Sequence, residues 1–335
     1  MRPVSVPMPE IFTRAALETL VAEALAAAGA NPDMARLTAT ALVDGEAIGQ
    51  AGHGLSRIAQ YTAFLRNGRA DGTAKPRILA EKPGAVLIDA GDGLAYPALA
   101  LAEAEGAARA RSQGVAFIGI TNSHHSGAMG LPVARLARAG LVALAFTNSP
   151  GAMPVAGGRR ALLGTNPIAA GFPRAAPHAP LVVDLALSTV ARGTINRYAQ
   201  SDTPIPEGWA LDADGNPTTD AKVALLGSLV ALGGTKGAAL ALVVELLCVA
   251  LTGAAFGFEA DGFFAEEGNR PRLGQALLVI DPGALAGQAA YLGRIEALIT
   301  AMLEDDGVRI PGQRHADISG TIAVPDALAQ TLRNL

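Results

Sequence analysis

Apolar positions in this chain recur at helical spacing over the first seventy residues and gather into short unbroken runs after Ala85. Ala15 to Ala28 reads as one helix, and a second restarts at Asn31-Pro32, a capping residue followed by proline in the first turn. No strand signal interrupts this region. Beyond it, Val86-Leu87-Ile88, Val115 to Ile120 and Val142 to Phe146 read as buried strands, with alanine-rich helices near 96–111 and 128–138 between them. Shorter strands are expected over Ile168 to Phe172, Leu181 to Asp184 and Ala276 to Asp281. Leu285 to Leu303 reads as a helix that returns to the first helical layer. Pro204 to Asp220, with its Asp214-Gly215-Asn216-Pro217 turn, is an exposed excursion or hairpin. The order is α/β, and it divides into a helical domain over 1–75, to which 285–335 returns, and an α/β domain over 76–284.

One helix departs from an ordinary amphipathic pattern. Gly233-Gly234-Thr235-Lys236-Gly237 sets a single lysine at the mouth of a nearly uncharged run, Ala238 to Phe256, whose only further charge is Glu245. A charge there is costly unless an anion pairs with it, and the glycines let backbone approach a ligand closely. Lys236 and Glu245 stand nine residues apart, on opposite faces of a helix, so each needs another partner. Gly237 to Gly257 has the length of a membrane span, but Glu245 would lie near the bilayer centre and no Lys/Arg girdle follows, so a core helix is the better reading.

Composition narrows the function classes. Half of the 335 residues are apolar and the net charge is −4, enough for a large core in about two domains. With 4% aromatics and no basic cluster beyond pairs such as Arg159-Arg160, nucleic acid is a poor partner. The single cysteine, Cys248, allows neither an intrachain disulfide nor a cysteine-based metal site. Met1 to Glu10 lacks the apolar stretch of a signal peptide, so a cytoplasmic protein is expected.

No Gly-x-Gly-x-x-Gly joins a strand to a helix, and no Gly-Lys-Ser/Thr closes a phosphate loop. The chain instead carries polar clusters in glycine-rich turns: Gly52-His53-Gly54-Leu55-Ser56-Arg57, Asn122-Ser123-His124-His125-Ser126-Gly127, Leu163-Gly164-Thr165-Asn166-Pro167 and Gly312-Gln313-Arg314-His315. Four of the five histidines fall in them. Histidine suits proton transfer near neutral pH, and arginine suits a bidentate grip on a carboxylate. Each cluster also has a plainer reading: His53 and Arg57 as a surface pair, His124-His125 as a capping turn, Gly164 to Pro167 as an ordinary turn, and His178 as an exposed loop residue. A zinc site built on His53, His124 and His125 needs three convergent ligands, which adjacent histidines seldom provide.

In order and wording these clusters resemble the type-2 malate/L-lactate dehydrogenase family, which includes ureidoglycolate and sulfolactate dehydrogenases and the reductases of Δ1-piperideine-2-carboxylate and Δ1-pyrroline-2-carboxylate. The likeness runs from about Phe12 to Arg314. It is carried by His53 to Arg57, the run at 122–127, Leu163 to Ile168, Asp184-Leu185-Ala186-Leu187-Ser188, Gly208 to Asp212 and Gly233 to Gly237. The resemblance implies a non-Rossmann NAD(P)-binding domain with a largely antiparallel sheet, a flanking helical domain, and a homodimer with its cleft near the subunit interface. It implies NADPH, with NADH possible, and no metal. His53 then matches the proton donor, Arg57 and Thr165 the pair that holds the substrate carboxylate, and His125, rather than His124, the histidine beside the nicotinamide. Thr121, Asn122, Ser123, His124, His125, Val183, Asp184, Leu185, Lys236, Arg309 and Arg314 match cofactor-contacting positions.

Three departures bear on the substrate. Many members place a serine before the first histidine, where this chain has Gly52. Some imine reductases have an acid after Ala-x-Gly, where Ala191-Arg192-Gly193 is followed by Thr194. Malate and lactate dehydrogenases commonly carry an aromatic residue or histidine before the lysine, where Thr235 is small. The last feature points to a cyclic imino acid as substrate and to amino-acid metabolism, with a 2-hydroxy-acid dehydrogenase as the alternative. A lapsed homologue that only binds ligand is a further reading.

Overall fold

The computed structural model describes residues 9–313 and 320–335. The two N-terminal helices form as their caps dictate. Thr13 Oγ1 accepts from Ala16 N–H ahead of Arg14–Ala27, and Asn31 Oδ1 accepts from Met34 N–H ahead of Pro32–Ala47. Leu17, Val21, Leu25, Leu42 and Val43 are buried between them and the helix Ile58–Asn67, which ends at Gly68 in the left-handed conformation.

A seven-stranded sheet makes the centre. Its spatial order is Arg77–Lys82, Ala85–Asp89, Val115–Ser123, Leu273–Ile280, Val142–Thr147, Ile168–Phe172 and Leu181–Leu185. Only the pairing of Ala85–Asp89 with Val115–Ser123 is parallel, so the sheet is largely antiparallel. The central strand Leu273–Ile280 shows why both faces are covered: Leu277 and Val279 enter the core beneath the helices Tyr96–Gln113 and Gly130–Arg138, while Ala276 enters a second core on the other side. That second core holds Ala241, Val244, Cys248 and Val249 of the lysine-headed helix.

That helix is shorter than its apolar run. Thr235–Glu245 is α-helical, Leu246–Ala250 forms a π-helical turn, and no helix among the described residues is long and apolar enough to cross a membrane. The turn-rich excursion is a hairpin, Ala210–Leu211 against Pro217–Thr218, extended by Ser228–Leu229 into a three-stranded sheet.

Two features differ from the expectation. Glu10–Thr13 is a strand, paired antiparallel with Thr321–Val324. The return to the N-terminal helices is made by that strand and the helix Asp326–Asn334, reinforced by Arg333 on Glu10 and by Arg66 on the Leu335 carbonyl. The helix Gln288–Met302 buries only Ile299 and is tied to the far edge of the sheet, through Arg174 on Glu296 at 2.7 Å and the Tyr291 hydroxyl on the Pro173 carbonyl at 3.2 Å.

Candidate active site

Strand register brings the polar clusters to one end of the sheet. Ser123 lies opposite Leu273, Gln275 opposite Thr147, Phe146 opposite Ile168, and Ile168 opposite Leu185. The segments that leave this end are therefore His124-His125, Asn148-Ser149, Thr165-Asn166 and Ala186-Leu187. Asn122 turns the chain out of its strand at φ 50°, its amide on Asp89 Oδ1 at 2.9 Å.

His53 comes to this end from the helical layer. It closes a short 3-10 turn, Ala51–His53, seated on Gly45, where a Cβ would stand 2.7 Å from the His53 carbonyl. Glu46 accepts from Leu55 N–H at 3.0 Å and fixes the exit of the turn. The His53 and His125 rings stack with centroids 5.3 Å apart and planes 16° apart. Arg57 completes the group. Its Nε donates to the Gly52 carbonyl at 2.7 Å and its Nη1 to Gln60 Oε1 at 2.9 Å, both neutral acceptors. It makes no ion pair among the described residues.

The two adjacent histidines point apart. His124 Nδ1 accepts from His125 N–H at 2.9 Å, and its ring packs against Phe64 and Phe263. His125 Nδ1 lies 2.6 Å from the Tyr61 hydroxyl, which lies 3.0 Å from that of Tyr96. Burial, and then the Arg57 charge, push His53 down to about 4; burial, and then Arg69, push His124 down to about 3; burial first, then Arg57 and the neighbouring rings, hold His125 well below its ordinary value. All three imidazoles are neutral at pH 7. Among the described residues no three His, Cys, Asp or Glu side chains converge to hold a metal.

Several members of this pocket wall carry no signature in the sequence. Phe263 meets the His125 ring edge-on at 5.3 Å, and its carbonyl accepts from Gln60 Nε2. Its loop is strapped down by the buried Arg69, which donates to the carbonyls of Asp261, Ala265, Glu267 and Asn269. Tyr61 has the one weak signal, a position four residues after Arg57 on a helix.

A second group gathers around Glu245. Its carboxylate, 1% exposed, accepts from Asn148 Nδ2 at 3.2 Å, Asn166 Nδ2 at 2.7 Å and Gly257 N–H at 2.8 Å. These are the partners its position demanded. They fix the turn holding Thr165, whose N–H donates to Ser149 Oγ at 3.0 Å and whose carbonyl accepts from Leu187 N–H at 2.8 Å. Leu187 in turn accepts from Leu232 N–H, placing the Gly233-Gly234 turn and Lys236 beside this segment. Lys236 is exposed and has no partner among the described residues. Thr165 has no hydrogen bond to the His53–Arg57 group.

The strand Leu181–Leu185 links the two groups. Asp184 accepts from Gly130 N–H at 2.8 Å and from Gln50, three residues before His53, and burial raises its pKa. Val182 donates to the Pro311 carbonyl at 3.2 Å, so Arg309 lies on a segment running beside 183–185. Arg314 and His315 lie outside the described residues, and His178 is exposed in its loop.

Fold and sequence together define a class. The chain belongs to the malate/L-lactate dehydrogenase family, whose model matches residues 12–332, and is an NAD(P)-dependent oxidoreductase. It is 48% identical to (2R)-3-sulfolactate dehydrogenase (NADP(+)) of Chromohalobacter salexigens over 94% of this chain and 95% of that protein. It is 40% identical to the Δ1-pyrroline-2-carboxylate/Δ1-piperideine-2-carboxylate reductase of Pseudomonas putida, over 86% and 84%. The crystal structure of Δ1-piperideine-2-carboxylate reductase from Pseudomonas syringae superposes with a TM-score of 0.90 at 35% identity, covering 97% of this chain and 99% of that one.

Three neutral histidines, each held below its ordinary pKa, set an acid limit on stability. Below about pH 6.5 the unfolded chain takes up protons that the folded chain refuses, so stability falls as pH drops toward 4, by up to about 1.4 kcal/mol per histidine per pH unit. Urea midpoints measured from pH 7 to 4.5 should decline, and His124→Asn should flatten the slope.

Proposed function

We propose that this enzyme reduces a cyclic 2-imino carboxylate of the Δ1-piperideine-2-carboxylate or Δ1-pyrroline-2-carboxylate type, with NADPH as donor and NADH as a possible substitute. The observation that carries the carboxylate is Arg57, a guanidinium with only neutral acceptors beside two neutral imidazoles. A small carboxylate supplies the missing countercharge, and Arg57 with Thr165 orients it.

The cleft suits a nicotinamide cofactor. Lys236 stands without a partner among the described residues in the first turn of its helix, behind Gly233 and Gly234 at φ 66° and 67°, an arrangement that receives a phosphate. The buried Ser123 Oγ and His124 Nε2, at the outgoing end of the central strands, are polar atoms without a partner among the described residues. Thr121, Asn122, Ser123, His124, His125, Val183, Asp184, Leu185, Lys236, Arg309 and Arg314 would hold the cofactor, which when bound supplies the hydride. The protein's own tasks are to orient the carboxylate, exclude water and manage one proton.

That proton distinguishes the electrophiles. His53 Nδ1 is buried with no hydrogen-bond partner among the described residues, so none of them replenishes, from behind the ring, a proton lost from Nε2. A protonated imine accepts hydride and becomes a neutral amine without an acid, whereas a ketone requires one. The bare Nδ1 therefore favours the imine. The second reading, a 2-hydroxy-acid dehydrogenase, is favoured by the 48% identity to a sulfolactate dehydrogenase.

NADPH oxidation with both cyclic imines, pyruvate, oxaloacetate and sulfopyruvate side by side decides between them. The imines should be turned over fastest; faster turnover of any 2-oxo acid would overturn the proposal. A Cβ at Gly52 meets no atom within 4 Å, so Gly52→Ser should fold and should raise 2-oxo acid turnover relative to imine turnover. Arg57→Ala should raise KM for every substrate by about tenfold or more.

We also propose a homodimer. The outer face of the lysine-headed helix is apolar at Leu240, Val243, Leu246 and Leu251, all between 43% and 62% exposed, a stripe that a second copy would cover. Light scattering should give a dimer, and Val243→Asp with Leu246→Glu should yield a monomer.

A further inference from the structure

The hydroxyls of Tyr96 and Tyr61 and the His125 imidazole form a buried chain: Tyr96 to Tyr61 at 3.0 Å, Tyr61 to His125 Nδ1 at 2.6 Å. Three protons are distributed along it, one on each hydroxyl and one on the neutral ring. The chain can run in two directions. If His125 Nδ1 carries the proton, it donates to Tyr61, Tyr61 donates to Tyr96, and the Tyr96 O–H is left with no acceptor among the described residues, 7% exposed. If Tyr96 donates to Tyr61 and Tyr61 to Nδ1, every buried donor in the chain is paired. An unmet buried donor costs about 1–3 kcal/mol, which exceeds the small intrinsic difference between imidazole tautomers.

We infer that Tyr96 and Tyr61 lock His125 in the Nε2–H tautomer, so that the ring offers the cleft a neutral hydrogen-bond donor. Tyr61 and Tyr96 are thus positioning residues. The surrounding sequence is built around them. A side chain at Gly127, the last residue of the Asn122 to Gly127 cluster, would place its Cβ 2.7 Å from the Tyr96 hydroxyl, and the backbone there has φ 67°. Tyr61 is fully buried and Tyr96 nearly so, and burial raises both phenols above their ordinary pKa, so the hydroxyls keep their protons across the working range. His53, stacked on the same ring with no partner at Nδ1, has no comparable device. The two imidazoles therefore differ: one is held as a fixed donor, and the other has no partner among the described residues that fixes its tautomer.

The inference rests on the proposed cleft for what the Nε2–H meets there, an acceptor oxygen of substrate or cofactor, but the tautomer itself is a property of the resting protein. Long-range ¹H–¹⁵N correlation spectra of the ¹⁵N-histidine-labelled full chain, without ligand, should assign the His125 proton to Nε2. In Tyr61→Phe, an isosteric change, the lock is gone and the His125 resonances should shift toward a mixture of tautomers. kcat should fall by about tenfold, the rate equivalent of one hydrogen bond, while substrate KM moves little. Tyr96→Phe should shift the mixture less. A proton on Nδ1 in the unaltered protein, or an unchanged Nε2–H tautomer in Tyr61→Phe, overturns the inference. Inactivity toward every imine and 2-oxo acid with the tautomer as assigned would instead overturn the proposed function.

Discussion

The arrangement of the cleft depends on one uncompensated charge. Arg57 is placed by neutral oxygens, the Gly52 carbonyl and the Gln60 amide, and lies near enough to His53 and His125 for its charge to lower the pKa of both. Burial first, and then a cation so placed, keep the two imidazoles neutral, and the cation creates a demand for an anion. The rest of the pocket is consistent with that constraint. The Phe263 loop borders the group and is held by the Arg69 guanidinium on backbone carbonyls. The carboxylates of the region are otherwise engaged: Glu46 on Leu55 N–H, Asp184 on Gly130 N–H, and Glu245 on two amides and Gly257.

Glu245 explains how the second group of turns is held in place. A buried carboxylate with three donors is a stiff point, because removing any partner leaves a charge poorly solvated. It joins the lysine-headed helix to the turns at Asn148 and Asn166, so the exposed Lys236 and the backbone of Thr165 are positioned by one ion on the opposite face of the helix. The sheet does the rest by register: strands of different direction end or begin at the same level, and three polar turns share one rim.

Much of this was legible in the sequence, for identifiable reasons. Asn31-Pro32 and the unbroken apolar runs are local signals, and the helices and strands they predict are present. The histidine, arginine and glycine clusters are also local, and strand register brings those at 122–127 and 163–167 to one rim, where His53 arrives from the helical layer. What could not be read is what tertiary contact alone creates. The strand Glu10–Thr13 is four residues long and exists only because Thr321–Val324 lies beside it. The helix Gln288–Met302 has an apolar pattern that does not say which surface it meets. Tyr61, Tyr96 and Phe263 stand 64, 29 and 138 positions from His125, with no motif around them. Their part in the cleft follows from rings and hydroxyls packing in space.

The most direct test is the titration of His53 in the free enzyme, followed by ¹H–¹⁵N correlation spectra and repeated with pyrrole-2-carboxylate, a planar anion shaped like the proposed substrate. The account requires His53 to stay neutral down to a pKa of about 4 when free, and to titrate at higher pH once the anion has neutralised Arg57. A His53 that titrates near 6.5 in the free enzyme, or one that the anion leaves unmoved, would contradict it.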